Sequence, residues 1–323
     1  MKGQQCFLIK HKVFLILKKV LLALFVIFVE VTVTFFLMHL VSGDPFSSSV
    51  DTLTLAAKEQ YIEYYGLNKP LIQQYFIFLS RLLNGDLGTS MVNRTSTVND
   101  VIRSFMPVSI ILGGISVCGG TIIGYMLGVF SAYIKKESVR KWISTFCLIG
   151  ISLPVFVWAP WLQSVFAVRL NWFPISGWWA PKCIILPVIC LLPNTIATIM
   201  KYTRDSVISI RKSQYYLASK QRGFSEQYVF WHHIFKNSLP SVVTVLVSSL
   251  SGIFSGAFIV EKIFSIPGIG REYMFALNMR DYTMIIGLNI IFTIIYLLFR
   301  LLGDIFQQYC NPLFAENSHD GVR

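Results

Sequence analysis

The feature that most constrains this chain is a series of six apolar stretches, each long enough to cross a lipid bilayer. A bilayer core of about 30 Å needs about 20 residues of α-helix. The stretches are Val13–Val41, Val108–Ile134, Trp142–Val168, Cys183–Met200, Val242–Val260 and Met284–Phe306. The first is too long for a secretory signal peptide and no small-x-small cleavage site follows it, so we expect a retained anchor. The sequence therefore predicts an all-α polytopic membrane protein with about six transmembrane helices.

The composition agrees with lipid as the solvent of this chain. Hydrophobic residues make up 54% of its 323 residues and charged residues 14%, against about 45–50% and about 25% in soluble domains. The six cysteines show no CxxC spacing and lie mostly in apolar runs, which is typical of small core residues. We therefore predict neither a metal site nor a disulfide framework.

The distribution of basic residues predicts the orientation in the membrane. If the N-terminus is cytoplasmic, the inner segments hold 18 of the 28 lysines and arginines but 6 of the 16 acidic residues. Cytoplasmic loops carry such an excess. We expect both termini in the cytoplasm of a prokaryote, below its cytoplasmic membrane. The net charge of +12 follows from this topology and needs no nucleic-acid partner.

The same topology predicts how the chain is divided. Residues 1–41 form a cytoplasmic tail and the first transmembrane helix, and residues 42–103 form an extracytoplasmic segment. Within that segment Leu55–Tyr65 and Leu71–Leu83 have helical spacing. Residues 104–310 form a core of five transmembrane helices with a cytoplasmic segment at 202–237, and residues 311–323 form a cytoplasmic tail.

The cytoplasmic segment has the pattern of two short helices joined at a glycine. Gly223 stands where a helix ends, since glycine accepts a positive φ. Ser225 is a candidate N-cap, with Glu226 favourable in the first turn of a helix over Glu226–Lys236 that ends before Pro240. Two interpretations follow from the pattern: an amphipathic hairpin on the membrane surface, or a rigid knob that contacts a partner.

Residues Tyr215–Pro240 resemble the cytoplasmic EAA loop of ABC-importer permeases. Gly223, Asn237, Leu239 and Pro240 match that motif, whereas Ser219 and Gln221 stand where alanines are expected. The resemblance implies that the coupling to an ATPase is carried by Tyr215, Tyr216, Ala218, Ser219, Arg222, Gly223, Phe224, Asn237 and Pro240.

Further blocks are similar to the oligopeptide/dipeptide/nickel permease subfamily and occur in its order. They are Phe35–Met38 with Gly43–Phe46, Tyr65–Pro70 with Gln74 and Tyr75, Gly85–Ser90, Ile266–Gly270 and Arg280–Tyr282. The resemblance implies an ABC importer type I permease fold and the import of peptides, nickel or other small chelates. It also implies a second homologous permease subunit (a heterodimer), two ATP-binding subunits and an extracytoplasmic binding protein. The sequence contains no GxxxxGK[ST] loop, so we expect ATP hydrolysis on those other subunits and no cofactor here.

Three smaller features have both a structural and a functional interpretation. Glu30 lies about halfway along the first apolar stretch, where an acid usually faces a bundle interior or water; it is either bonded to a neighbouring helix or part of a substrate or ion path. The small residues Ser251, Ser255 and Gly256 favour close helix packing or a narrow translocation path. Pro267, Gly268 and Gly270 predict a turn, because proline fixes φ and the glycines permit the reversal; by resemblance this turn is an outer gate loop.

An enzyme is the alternative from another function class, and a non-catalytic membrane scaffold is the third. An intramembrane enzyme would need polar groups that converge within the membrane, and Glu30 has no histidine or aspartate partner at that depth. His232 and His233 are adjacent and point to different faces of a helix, so they predict no metal site. We therefore expect no catalytic residues in this chain.

Overall fold

Helices make up most of the residues that the computed structural model describes, which are 2–40, 59, 62–93 and 95–310. In chain order they are α1 (Lys2–Leu40), α2 (Leu71–Leu83), α3 (Val98–Tyr133), α4 (Glu137–Ser152), α5 (Val155–Leu162), α6 (Lys182–Lys212), α7 (Gln214–Gln221), α8 (Glu226–Val229), α9 (Lys236–Ile263), α10 (Ile269–Met279) and α11 (Tyr282–Cys310). A π-helical segment follows α5 and another follows α8, at Gln163–Arg169 and Phe230–Phe235. The all-α prediction is confirmed.

Four helices in the described part of the chain are long and apolar enough to cross a membrane. They are Leu17–Leu37, Val98–Tyr133, Lys182–Lys212 and Tyr282–Phe306, and each overlaps a predicted stretch. Helix α9 contains the predicted stretch Val242–Val260, although the side chains of residues 248–256 lie outside the described part. The predicted helix Leu55–Tyr65 and the tail 311–323 lie mostly or wholly outside it too.

The predicted stretch Trp142–Val168 is not one straight helix. Its two pieces, Glu137–Ser152 and Val155–Arg169, meet at an angle of 98°. The break lies at Leu153 and Pro154, where Leu153 is extended with ψ 116°. A residue before proline is driven out of the helical region by the proline ring, and proline has no N–H to continue the ladder. The apolar run predicted the length of the span but not this bend.

The chain divides into two compact units, 1–109 with 267–297 and 110–266 with 298–323. In the first unit, the start of α3 packs on α10 and α11 through a buried cluster of Val98, Val101, Met106, Ile269, Ala276, Met284, Ile285 and Leu288. Helix α1 packs on α11 through Val31, Ile286 and Ile290. The first unit thus has a core built from helices that are far apart in the sequence.

In the second unit, glycines let the rest of α3 approach α6 closely. A Cβ added at Gly124 would lie 2.7 Å from the carbonyl oxygen of Ile196, and one at Gly128 would lie 2.6 Å from Cβ of Thr203. These glycines are four residues apart, the small-xxx-small spacing of membrane helix contacts. The sequence predicted close helix packing on α9, whereas the described residues show it on α3.

Candidate functional site

The cytoplasmic segment between α6 and α9 folds at the residues that the sequence analysis selected. Helix α7 ends at Gln221, and Gly223 has φ +79°, the left-handed conformation predicted for it. The Oγ of Ser225 accepts a hydrogen bond from the backbone N–H of Tyr228, and Glu226 lies in the first turn of α8. The structure therefore confirms the predicted helix end before Gly223, the N-cap at Ser225 and the place of Glu226 in the first helical turn.

The predicted end of the second helix before Pro240 is wrong. The helix continues from α8 through the π-helical segment into α9, and Pro240 lies inside α9. A proline inside a helix either kinks the helix or ends it, and here packing on both sides keeps the helix intact. Here Val229 and Ile234 are fully buried before the proline and Val242 is 5% exposed after it. Helix α8, the π-helical segment after it and α9 therefore share one continuous helical backbone.

One side of the coupling segment is buried against the ends of α3 and α6. Tyr216 is 6% exposed and forms a cluster with Ala132, Val207, Ile210, Val229 and Ile234. Tyr215 and Leu217, on the other side of α7, are exposed. Helix α7 is thus a fixed element with one face left to a partner, which favours the interpretation as a rigid knob.

A hydrogen bond between Ser219 and His233 joins α7 to the helix that leads into α9. The Oγ of Ser219 donates its one proton to the carbonyl oxygen of Tyr215, 2.8 Å away. It must therefore accept from Nε2–H of His233, which lies 2.9 Å away. Ser219 stands where the EAA motif has an alanine, so this chain adds a polar contact at that position.

Arg211, in the last turn of α6, connects α6 to the end of α3. Its Nη1 donates to the carbonyl oxygen of Ala132 at 2.7 Å, and its guanidinium lies 4.4 Å from the centre of the Tyr133 ring. The last carbonyl groups of a helix lack partners and carry partial negative charge, so a cation is favourable there. In the sequence Arg211 counts only as one of the 18 inner basic residues, and no local pattern predicts this contact.

The open side of the segment carries a column of stacked rings. The rings of Phe224 and Tyr228 are 4.7 Å apart, and those of Tyr228 and His232 are 4.0 Å apart. Phe224 is 42% exposed and Tyr228 is 40% exposed. Lys220 and Glu226 form an ion pair beside the column. Exposed aromatic residues that are held in place are typical of the centre of a protein interface.

Three other coupling candidates, Asn237, Arg222 and Ala218, lie outside the ring column. Asn237 donates from Nδ2 to the carbonyl oxygen of His233 at 2.7 Å. Arg222 follows α7 as its C-cap, and Ala218 lies exposed on α7. None of the three residues belongs to the ring column.

The candidate path residues lie on α1 and α9. Glu30 is half-buried and hydrogen-bonded to Thr34 on the same helix. Its Oε2 is buried without a hydrogen-bond partner among the described residues. Ser251, Ser255 and Gly256 are helical in α9, and their side-chain surroundings lie outside the described part of the chain.

The candidate outer loop is a packed turn whose conformation differs from the prediction. Gly268 precedes α10 with φ −111° and ψ 166°, an extended conformation. The left-handed residue of this turn is Ser265 with φ 49°, and neither Gly268 nor Gly270 has a positive φ. The backbone N–H of Ile269 donates to Oγ of Ser109 at 2.9 Å. Pro267 and the glycines thus form a close-packed entry to α10, and the prediction that the glycines permit the reversal is wrong.

Two of the external blocks meet at a buried carboxylate. Asp281 is 3% exposed and lies directly before α11, where its Oδ1 accepts from the N–H of Met284 at 3.1 Å. It also accepts from Oγ of Ser90 and from the N–H of Met91. An aspartate before a helix start is a recognisable N-cap signal, but its bond to Ser90 could not be read from the sequence.

The turn after α2 holds a second polar cluster. The Oδ2 of Asp86 accepts from Nε of Arg81 at 3.0 Å and from Oη of Tyr64 at 2.8 Å, and Oδ1 accepts from the N–H of Gly88. Arg81 also lies 3.6 Å from the centre of the Tyr64 ring. Partial burial raises the pKa of Asp86, but the Gly88 and Tyr64 hydrogen bonds and the charge of Arg81 outweigh it and hold the pKa below its usual range.

Residues 124–316 match the family model described as the binding-protein-dependent transport system inner membrane component. The chain is 34% identical over 297 residues to the dipeptide transport system permease protein DppB of Lactococcus lactis subsp. cremoris, covering 92% of this chain and 97% of that protein. It is 33% identical over 301 residues to the oligopeptide transport system permease protein OppB of Haemophilus influenzae, covering 92% and 97%.

The fold is also similar to solved ABC transporter structures. An inward-facing structure of the MetNI methionine ABC transporter matches with a TM-score of 0.55 at 15% identity, over 65% of this chain and 96% of that chain. An amino acid ABC transporter crystallised with histidines matches with a TM-score of 0.51 at 14% identity, over 65% and 94%. At these identities the similarity concerns the fold alone.

Proposed function

We propose, because this chain belongs to the binding-protein-dependent transport system inner membrane components, that it imports small peptides across the cytoplasmic membrane. Membership makes it a multi-pass permease subunit of an ABC importer. It is not an enzyme, since ATP hydrolysis in such importers occurs on a separate subunit. Peptides are the proposed substrate because the relatives that cover more than nine-tenths of the chain are dipeptide and oligopeptide permeases.

The proposed assembly has four kinds of component. A second, homologous permease subunit pairs with this chain, two ATP-binding subunits lie on the cytoplasmic side, and an extracytoplasmic binding protein delivers the peptide. In this arrangement both termini and residues 202–237 are cytoplasmic, and residues 42–103 are outside. The distribution of lysine and arginine supports this orientation.

The observation that carries the proposal is the ring column of Phe224, Tyr228 and His232, which lies on the turn and the helix that directly follow the fixed helix α7. The column faces an ATP-binding subunit, which holds it by apolar contact. When the ATPase subunits close on ATP, they move α7 as a body. The movement reaches α6 through Ser213, α9 through the continuous helix and the Ser219–His233 bond, and α3 through Arg211.

The transported peptide follows a path that opens alternately to each side of the membrane. Ser251, Ser255 and Gly256 support a narrow path along α9, because small side chains leave room between helices. Glu30 is a weaker candidate, since its bond to Thr34 suits a carboxyl group that is held within its own helix. In the proposed importer the outer turn at Pro267, Gly268 and Gly270 lies under the binding protein.

The decisive experiment combines the complete transporter with variants of the ring column. Tyr228→Ala should reduce co-purification of the ATP-binding subunits and abolish uptake of a labelled dipeptide. Tyr202→Ala is the matched control, because Tyr202 is 50% exposed on α6 and lies outside the column. Full ATPase binding and full uptake by Tyr228→Ala would show that the column is not the coupling surface. Uptake of nickel in place of dipeptides would leave the coupling intact and overturn the proposed substrate.

A further inference from the structure

Helix α2 has two apolar faces, and the described residues cover only one of them. The inner face consists of Tyr75, Phe78 and Leu82. The outer face consists of Ile72, Phe76 and Leu83, spaced by four and seven residues along one side of the helix. These three side chains are 58%, 61% and 81% exposed. Gln73 and Ser80 lie on a third, polar side.

The inner face fixes the depth of α2, because it packs on residues inside two membrane-spanning helices. Phe78 and Leu82 join the cluster of Val31, Ile286 and Ile290. Val31 lies inside the span Leu17–Leu37 of α1, and both isoleucines lie inside the span Tyr282–Phe306 of α11. The end of α2 is therefore level with apolar parts of both spans.

The beginning of α2 lies at a similar depth. The ring of Tyr75 is 5.4 Å from that of Phe35 and 5.5 Å from that of Phe36. Its Oη is 2.8 Å from Oγ1 of Thr32. All three partners lie within the span Leu17–Leu37. From Tyr75 to Leu82, α2 thus runs beside the outer part of a membrane span and not beyond its end.

We propose that α2 lies in the outer boundary of the bilayer, with Ile72, Phe76 and Leu83 among the acyl chains of lipids. Val29, Val33 and Leu37 on α1, at the same depth, are likewise apolar and exposed, as expected of side chains that face acyl chains. The polar side of α2 then faces the headgroups and water, as in interfacial amphipathic helices. Tyr64 and the paired Arg81 lie at the boundary, where aromatic and basic side chains are common.

The consequence is that the external segment is anchored twice. One anchor is the packing on α1 and α11, and the other is the lipid itself. The segment after α2 then starts from a fixed height above the membrane, which restricts where its turn at Asp86 can move.

The occupant of the outer face can be identified by photocrosslinking in the complete transporter, in native membranes. The photoreactive amino acid p-benzoylphenylalanine is placed at Phe76 or at Leu83, and after irradiation the mass of the adduct distinguishes lipid from protein. Phe25, which is 63% exposed inside the span of α1, is the positive control. Gln73, on the polar side of α2, is the negative control. Retained uptake shows that each variant is folded.

We expect lipid adducts at Phe76 and Leu83 in a yield comparable with that at Phe25, and several-fold above that at Gln73. A protein adduct at both positions would mean that another subunit covers this face and would overturn the proposal. Lipid adducts at Phe25 with none at either outer-face position would place α2 in water and overturn it as well. If one variant does not accumulate, the other reports on the same face.

Discussion

The turn after α2, predicted to be external, and the turn after α7, predicted to be cytoplasmic, use glycine in the same way but are completed differently. Gly88 has φ +95° and Gly223 has φ +79°. A Cβ added at Gly88 would lie 2.5 Å from Cγ2 of Thr283, whereas one at Gly223 would have no atom within 4 Å. The external turn is closed by residues of this chain. The cytoplasmic turn is left open, with the ring column beside it, as expected of a surface completed by another subunit.

The two regions also differ in how many hydrogen bonds their polar groups make. In the predicted external region, the carboxylates of Asp281 and Asp86 each accept hydrogen bonds from several donors. In the predicted cytoplasmic region, the bonds of Ser219 with His233 and of Arg211 with Ala132 are single contacts, and the Lys220–Glu226 ion pair is partly exposed. The region around Asp281 and Asp86 is therefore held by several polar contacts, whereas the segment around α7 is held mainly by its apolar cluster and by a few single hydrogen bonds.

The comparison predicts the largest effect for the buried external carboxylate. Asp281→Ala leaves the N–H groups of Met91 and Met284 and the hydroxyl of Ser90 buried without an acceptor. Each such group costs about 1–3 kcal/mol, so we expect a loss of several degrees in the unfolding temperature in detergent and rapid proteolysis after residue 90. Asp281→Asn keeps one acceptor, so its unfolding temperature should lie between those of the wild type and Asp281→Ala. An unchanged unfolding temperature in Asp281→Ala would remove the contrast between the two regions.

The next effect separates folding from coupling at the two glycines. Gly88→Val should lower the amount of folded protein, because it adds both a left-handed strain and a clash with Thr283. Gly223→Val adds only the strain, of about 1–2 kcal/mol, in a short exposed turn. We expect normal membrane abundance with reduced ATPase binding and uptake, measured by co-purification and transport.

Gly223→Asn is the control, since asparagine tolerates the left-handed region better, and it should retain more function than Gly223→Val. If Gly223→Val transports at the wild-type rate, the cytoplasmic turn does not need its observed geometry. If it fails to accumulate, the two turns do not differ in the way the comparison states.

The parts of the fold that could be predicted are those that local chemistry determines. A helix end and a helix start are predicted within four residues by Gly223, Ser225 and Glu226, and the structure has both. The apolar length of the spans is likewise a property of single segments. The external blocks Gly85–Ser90 and Arg280–Tyr282 were selected by resemblance, but the bond of Ser90 to Asp281 joins residues 191 positions apart. No periodicity contains that information.

Two further results show where local rules were overridden. Pro240 was expected to follow a helix end, yet buried residues on both sides carry the helix past it. The turn before α10 was expected to use its glycines, yet Ser265 takes the left-handed conformation. In the candidate site, the motif selected Ser219 as a departure from alanine, but its partner His233 became evident only when α7 and the following helix were seen to pack.

A smaller effect is expected when the hydrogen bond between Ser219 and His233 is removed. Ser219→Ala removes one hydrogen bond, worth about 1 kcal/mol, and restores the alanine that the EAA motif has at this position. We expect normal ATPase binding but less uptake per ATP hydrolysed in the reconstituted transporter. His233→Gln, which can still donate to Ser219, should lose less than His233→Ala. His232→Ala is the control, because it changes the ring column but leaves the bond between Ser219 and His233 in place. Equal ratios of uptake to hydrolysis in all variants would show that the bond transmits nothing.

The smallest effect concerns the pH dependence of the external turn at Asp86. Its folded pKa is below the ordinary value of 3.8, so the turn gains stability that is present above that value. This stability is lost as the pH falls through 3.8 toward the folded pKa. The side chain is 43% exposed, and solvent screening keeps the contribution below about 1 kcal/mol.

Asp86→Asn should therefore lower the unfolding temperature slightly at neutral pH. The difference from wild type should shrink only in the acid range, because the wild-type carboxylate then becomes neutral too. Thermal unfolding of both proteins from neutral pH to about pH 3 measures this difference directly, and other carboxylates cancel because both proteins contain them. A difference that stays constant with pH would mean that the charge of Asp86 contributes nothing. The turn would then be held by neutral hydrogen bonds, as the cytoplasmic segment is between Ser219 and His233.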